Sequence, residues 1–322
     1  MLLNRILLLG LVVTSVVFAS SFAQAQNYPT KPVTVIVPFA PGNFTDTMAR
    51  IVLPAVETAL GQSFVIENRG GANGIIGTSS VARAEPDGYT ILIGTNGTQS
   101  AAPSLYSTLN YDPLEDFDSI ALLGTISSVL LVSASSPLNS MEDVIAEAKK
   151  RGGMLNYGAP NSTARFSAAR LEMLAGIKLT EVPYSGTQQA LTDLIGGRVD
   201  MLFNGVGSST DLVRDGKVKA LGVTYQNKLA AFPDIKPIAD VVPGYFSYGW
   251  LGVFAPKGTP QDIIERLNNV FNEALQNPEV RSRLETASFD IRIGTPLDLD
   301  QLVSDDIKIW ADVAAAAAWV KY

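Results

Sequence analysis

The chain contains neither histidine nor cysteine. Their absence excludes a Ser-His-Asp or Cys-His nucleophile system, a histidine general base and a thiolate or imidazole metal site. It also excludes disulfides and lipid attachment through an N-terminal cysteine. No GxSxG elbow and no P-loop lysine motif occurs. Enzymes built on Lys, Tyr, Asp or Glu stay open. Positive charge is scarce too: 24 Lys and Arg against 31 Asp and Glu leave a net charge of −7. Nucleic acid is therefore not an expected partner, because phosphate binding needs a basic footprint. No metal and no cofactor is implied.

Long apolar runs are also rare. The one that stands out is N-terminal: Arg5, then ILLLGLVVTSVVFA over residues 6–19, then the small-x-small triplet Ala23-Gln24-Ala25. This is the pattern of a cleaved export signal. The run is short for a membrane span of about 20 residues, although an anchor is the alternative reading. Residues 1–25 are expected to be a signal peptide, which places the mature protein in the periplasm, starting near Gln26.

The 322 residues suffice for roughly two domains. At 47% hydrophobic and 17% charged, the composition supports a substantial core. After Pro29, strand-like and helix-like patterns alternate. Apolar runs at 33–38 (VTVIVP), 64–67 and 90–94 (TILIG) read as buried strands. Apolar spacing at 46–60 and small residues at 77–84 read as helices. The cycle restarts with a long apolar stretch at 120–133. Helices follow at 140–150, 164–174 and 187–195, and strands at 155–157, 179–183, 199–203, 220–223 and 248–255. Two closing helices are expected, at 260–275 and 297–318. This alternation predicts an α/β fold with a parallel sheet covered on both faces. The runs near 125 and 250 are natural crossovers between lobes. The expected division is one domain of residues 27–124 plus 251–322, and a second of 125–250.

Ligands in open α/β sheets bind at the carboxyl ends of strands. Three such ends carry unusual loops. The first runs from Pro38 through Phe39, Ala40, Pro41, Gly42, Asn43, Phe44 and Thr45 to Asp46, with Thr45 or Asp46 expected to cap the following helix. The second is Thr95, Asn96, Gly97 and Thr98. The third contains Asn161, Ser162, Thr163 and Arg165. The first and third read APGN and GAPN before a helix, so two helix N-termini, each carrying about half a positive charge, are expected to face one cleft and suit an anion. Capping alone also explains such residues. Gly71, Gly74 and Gly77 form GxxGxxG rather than a dinucleotide fingerprint, and are read as close helix packing.

Several segments together resemble the Bug family, the substrate-binding proteins of tripartite tricarboxylate transporters. They are YPTKPVTVIVPFAPGNFTDTMAR (28–50), ALGQSFVIENRGGANGIIGT (59–78), ARAEPDGYTILIGTNGT (82–98), VPYSGTQQALTDLIGGRVDMLF (182–203) and GVFAPKGTP (252–260). The resemblance runs from about residue 28 to the C-terminus. It implies a two-domain periplasmic-binding-protein-like fold with a ligand cleft between the lobes. It implies a monomeric receptor that delivers a small carboxylate to the permease subunits of a membrane transporter and catalyses nothing. A receptor serving a membrane sensor, and a secreted ester hydrolase, are the alternatives. The family's loops correspond to Pro41, Gly42, Thr45 and Asp46, to Thr95–Thr98, to Tyr184, Ser185 and Gly186, and to Asn204. The usual second and third glycines of the first loop are Asn43 and Phe44 here. The domain-two loop is GAPNSTARF, with Arg165 near the usual histidine. Phe44 is expected to offer a stacking face, and Arg165 either a bidentate grip on a carboxylate or a solvent-facing charge. An aromatic or compact monocarboxylate would suit Phe44 better than a long citrate-like chain.

Overall fold

The β-branched run Val33–Val37 forms strand β1, with four of its five side chains buried, as suits a strand covered on both faces. A computed structural model supplies the structure of residues 28–229 and 231–321. The expected signal segment, residues 1–25, lies outside the described residues.

Helix α1 (Phe44–Leu60) begins two residues before the expected start, because Asn43 is its N-cap and accepts the Thr45 N–H. Neither Thr45 nor Asp46 has that role. All three are good capping residues, and the chain uses the first of them. Strand β2 (Phe64–Asn68) follows, then helix α2 (Ile75–Ala82) and strand β3 (Thr90–Thr95). Gly77 of α2 lies against the segments that leave β1 and β2. A Cβ there would lie 2.5 Å from the Arg69 carbonyl oxygen and 2.9 Å from the Pro38 Cα, so this glycine serves close packing. A wide turn at residues 97–101 runs into the short helix α3 (Ala102–Leu105).

Strand β4 (Phe117–Ser133) is 17 residues long. The second lobe then takes α4 (Met141–Arg151), β5 (Asn156–Ala159), α5 (Ser162–Ala175), β6 (Thr180–Pro183), α6 (Thr187–Ile195), β7 (Met201–Gly205), α7 (Val206–Arg214) and β8 (Val218–Val223). The chain returns through β9 (Tyr248–Pro256) and ends with α8 (Gln261–Gln276), α9 (Pro278–Thr286), β10 (Phe289–Ile291) and α10 (Pro296–Ala316). Helices α7 and α9 and strand β10 are absent from the sequence reading, which expects two closing helices. Asn277 followed by Pro278 is a helix-start signal that was available: Asn277 accepts the N–H groups of Glu279 and Val280.

The strands run β2-β1-β3-β9-β4-β7-β5-β6, with β8 and β10 also paired to β4. The expected parallel sheet holds for β2-β1-β3 and for β6-β5-β7. It fails in the middle, where β9 is antiparallel to β3 and β4, and β4 is antiparallel to β7 and β8. A buried apolar strand reads the same whichever way its partner runs, so direction was not legible locally. Strand β4 joins the two halves: residues 117–127 pair with β9, and residues 128–133 pair with β7 and β8.

Each half-sheet is covered on both faces. Alternation along β1 sends Val33, Val35 and Val37 to the α1 and α8 side and Ile36 to the α2 and α10 side. The second lobe repeats this, with Leu130 and Val132 on one side and Val129 and Leu131 on the other. A further apolar cluster lies between the lobes, where Trp310 of α10 and Phe166 of α5 pack with ring centroids 4.2 Å apart. Among the described residues no helix is long and apolar enough to cross a membrane.

Candidate ligand cleft

A cavity of about 620 Å³ opens between the lobes. Its lobe-one wall is built from the turn that leaves β1. Gly42 there has φ +78°, a conformation that favours glycine. Asp46, in the first turn of α1, fastens the turn. Its carboxylate accepts the Gly42 N–H at 2.8 Å, Arg50 Nε at 2.9 Å and Asn68 Nδ2 at 3.0 Å, and Asn68 also donates to the Phe39 carbonyl at 3.1 Å. The Arg50 bond is the main cause that pulls the Asp46 carboxyl down to about 2. Phe39, Asn43, Phe44 and Thr45 line the cavity, whereas Ala40, Pro41, Gly42 and Asp46 do not. The Phe44 ring also packs on Phe289, with centroids 6.0 Å apart, so only part of it serves the cleft.

The second loop contributes Thr95, Asn96 and Gly97. Thr98 is fully buried behind them. Its hydroxyl accepts the Thr95 N–H at 3.1 Å, and its own N–H donates to the Thr95 hydroxyl at 3.2 Å. Tyr111 donates to its carbonyl at 2.6 Å. Thr98 therefore stiffens the loop from behind rather than touching the cavity.

In lobe two, β5 turns into α5 at Asn161, which accepts the Ala164 N–H at 2.9 Å. Asn161, Ser162, Thr163 and Arg165 all line the cavity. The Arg165 side chain neither faces bulk solvent nor presents an unpaired fork. Its Nε donates to Glu181 Oε2 at 2.9 Å, its guanidinium lies 4.5 Å above the Trp319 ring, and Tyr157 donates to the same Glu181 oxygen at 3.2 Å. Tyr184 lines the wall and donates to Asp193 at 2.9 Å, while Ser185 and Gly186 lie outside it. Asn204 is buried and donates to Ser208 at 3.0 Å and Ser209 at 2.9 Å. Strand alternation explains its displacement: Phe203 and Gly205, on either side, face the cleft.

The structure adds residues that sequence reasoning missed. All three tryptophans of the chain, Trp250, Trp310 and Trp319, line the cavity, together with Leu105 and Tyr106. Their rarity was the available signal; their convergence from distant segments was not readable. Two helix N-termini, α1 from one lobe and α5 from the other, border the same space. The arrangement can hold an anion at backbone N–H groups, and of the three indoles only the half-buried Trp319 offers a face to the cavity, Trp250 and Trp310 being almost fully buried. Among the described residues no group of three or more acidic side chains is placed to hold a metal.

The sequence model described as "Tripartite tricarboxylate transporter family receptor" matches residues 48–318. The protein BugT of Bordetella pertussis is 33% identical over 293 residues, which is 90% of this chain and 90% of BugT. The structure of R. palustris Rpa4515 with adipate superposes with a TM-score of 0.79 at 34% identity, covering 92% of this chain and all of that one. MatC from Rhodopseudomonas palustris with bound malate gives a TM-score of 0.75 at 35% identity, covering 89% and 99%.

Proposed function

The chain belongs to the tripartite tricarboxylate transporter receptor family, and from that premise we propose that it captures a small carboxylate in the cleft and hands it, unaltered, to membrane permease subunits. The observation that carries this reading is the meeting of two Asn-capped helix N-termini, from opposite lobes, at one cavity. Each carries about half a positive charge. A cavity of about 620 Å³ falls in the range that encloses small organic ligands. The similar proteins Rpa4515 and MatC hold adipate and malate.

In this reading the chain is exported through a cleaved signal at residues 1–25 and works in the periplasm as a monomer. Residues 27–124 with 251–322 form one closing body and residues 125–250 the other, turning about β4 and β9. Ligand contacts from both bodies stabilise the closed form.

The test is thermal unfolding of ligand-stripped protein against mono-, di- and tricarboxylates, aliphatic and aromatic. A ligand at a hundredfold its Kd that binds only the folded state adds about 2.7 kcal/mol. A selective rise in melting temperature supports the reading, and no rise with any carboxylate overturns it.

A further inference from the structure

The last residues of the chain bridge the two lobes. Helix α10 rests on lobe one, where Leu299 and Val303 pack with Leu92 and Phe254. Its far end reaches lobe two, where Trp310 meets Phe166. The helix then stops in a turn closed by two bonds. The Ala318 N–H donates to the Ala315 carbonyl at 3.1 Å, and the Trp319 N–H to the Ala314 carbonyl at 3.0 Å. Such a turn needs one residue in the left-handed region, usually glycine. Here that residue is Ala318, at φ +52°, a conformation that costs any L side chain free energy.

The turn places Trp319. Its half-buried ring carries the Arg165 guanidinium, 4.5 Å from the ring centroid. Arg165 belongs to α5 of lobe two and is itself braced there. Its Nε donates to Glu181 at 2.9 Å, and the same carboxylate oxygen accepts the Tyr157 hydroxyl. An in-plane bond and a stacked face use different parts of a guanidinium, so the two contacts coexist. Past the ring the chain returns to lobe one, where Lys321 Nζ donates to the Pro103 carbonyl at 2.8 Å. Trp319 is thus fastened to lobe one on both sides, by α10 before it and Lys321 after it, while its ring holds a braced cation of lobe two.

We infer that residues 317–321 are a latch between the lobes, with Trp319 as its bolt and the Ala318 turn as the element that aims it. The latch restrains separation of the two bodies in the empty protein and so biases the cleft toward the arrangement seen here before ligand arrives. This rests on the reading of two bodies that turn about β4 and β9, and on no particular ligand.

The chain has no cysteine, so nitroxides at Ala40→Cys and Gln188→Cys, exposed residues of lobe one and lobe two, report the distance between the lobes by double electron–electron resonance. Circular dichroism melting confirms that each variant folds. In ligand-stripped protein, Trp319→Ala is expected to enlarge the longer-distance population by at least about threefold over the doubly labelled parent, as loss of a partly desolvated cation–ring contact implies. Ala318→Pro leaves both partners in place but cannot adopt positive φ and has no N–H to donate, and is expected to give the same shift. Ala318→Gly suits the turn and is expected to keep the parent distribution.

Unchanged distributions in both Trp319→Ala and Ala318→Pro overturn the latch. A shift in Trp319→Ala alone, or one in Ala318→Gly, overturns the part assigned to the turn. Adipate, malate and benzoate, added to the parent, separate failure of the latch from failure of the two-body reading. A shortened distance with any of them, beside unchanged variants, shows bodies that move without a latch. No change with any probe or variant overturns the two-body reading as well.

Discussion

The indole N–H of Trp250 donates to the Asp306 carboxylate at 2.9 Å, tying the returning strand β9 to the C-terminal helix beneath the cleft. Burial pushes this carboxyl up to about 6, with the Trp250 bond and the nearby Arg170 charge acting in the other direction. A folded-state value above the unfolded 3.8 means that the fold favours the protonated form. The stability this group contributes is complete below about pH 4 and is lost as pH rises through about 6. At about 1.4 kcal/mol per unit, the effect is at most about 3 kcal/mol. Asp306→Asn keeps an acceptor for Trp250 but cannot ionise. Urea unfolding from pH 4 to pH 7 is expected to show the variant gaining about 1–3 kcal/mol on the wild type across that window, reduced by whatever Arg170 loses in a partner.

Asp46 behaves in the opposite sense. Its carboxyl is held near 2 by Arg50, the Gly42 N–H and Asn68, so its contribution is present above about pH 4 and is lost as pH falls toward 2. Asp46→Ala leaves three donors without their acceptor and is expected to cost about 2 kcal/mol at pH 7. The same change loosens the Gly42 turn, so ligand affinity measured by calorimetry falls as well, although Asp46 does not line the cavity.

Gly77→Ala places a methyl group 2.5 Å from the Arg69 carbonyl oxygen and 2.9 Å from the Pro38 Cα. Both are backbone atoms, so relief requires α2 to move off the sheet. The expected loss is about 2 kcal/mol in denaturant unfolding, with an unchanged far-ultraviolet spectrum at low temperature.

Trp310 is 1% exposed and packs on Phe166 across the lobes. Trp310→Ala removes that contact and leaves a void, for an expected cost of about 4 kcal/mol. Trp310→Phe retains a ring and is expected to recover at least half of it. Equal stability of the alanine variant would show that α10 does not help to hold the lobes together.

Much of this molecule was legible in one sequence because its strands are short apolar runs bounded by turn residues. The segment 187–195 was read with the bounds it has, Thr187–Ile195, since Gly186 and Gly196 punctuate it. The APGN and GAPN loops were legible as a pair, and both reach the cavity. Exact caps were not, because Asn43, Thr45 and Asp46 compete on equal terms. The Arg165–Glu181 pair was invisible for a different reason: α5 and β6 come together only through the sheet order. Asn204 lies just behind the cavity lining, since strand alternation places its two neighbours, Phe203 and Gly205, on the cleft. The three tryptophans, residues 250, 310 and 319, meet at the cavity, a convergence that no local pattern encodes.

Strand β4 carries a consequence for how the protein melts. Its 17 residues belong to both sheets without an intervening loop, so neither lobe has a complete central strand of its own. Severing the chain within it would leave two fragments, each with an open sheet edge and an uncovered apolar face. The two halves are therefore expected to unfold as one cooperative unit: a calorimetric scan of the intact chain should show a single heat-absorption peak rather than two.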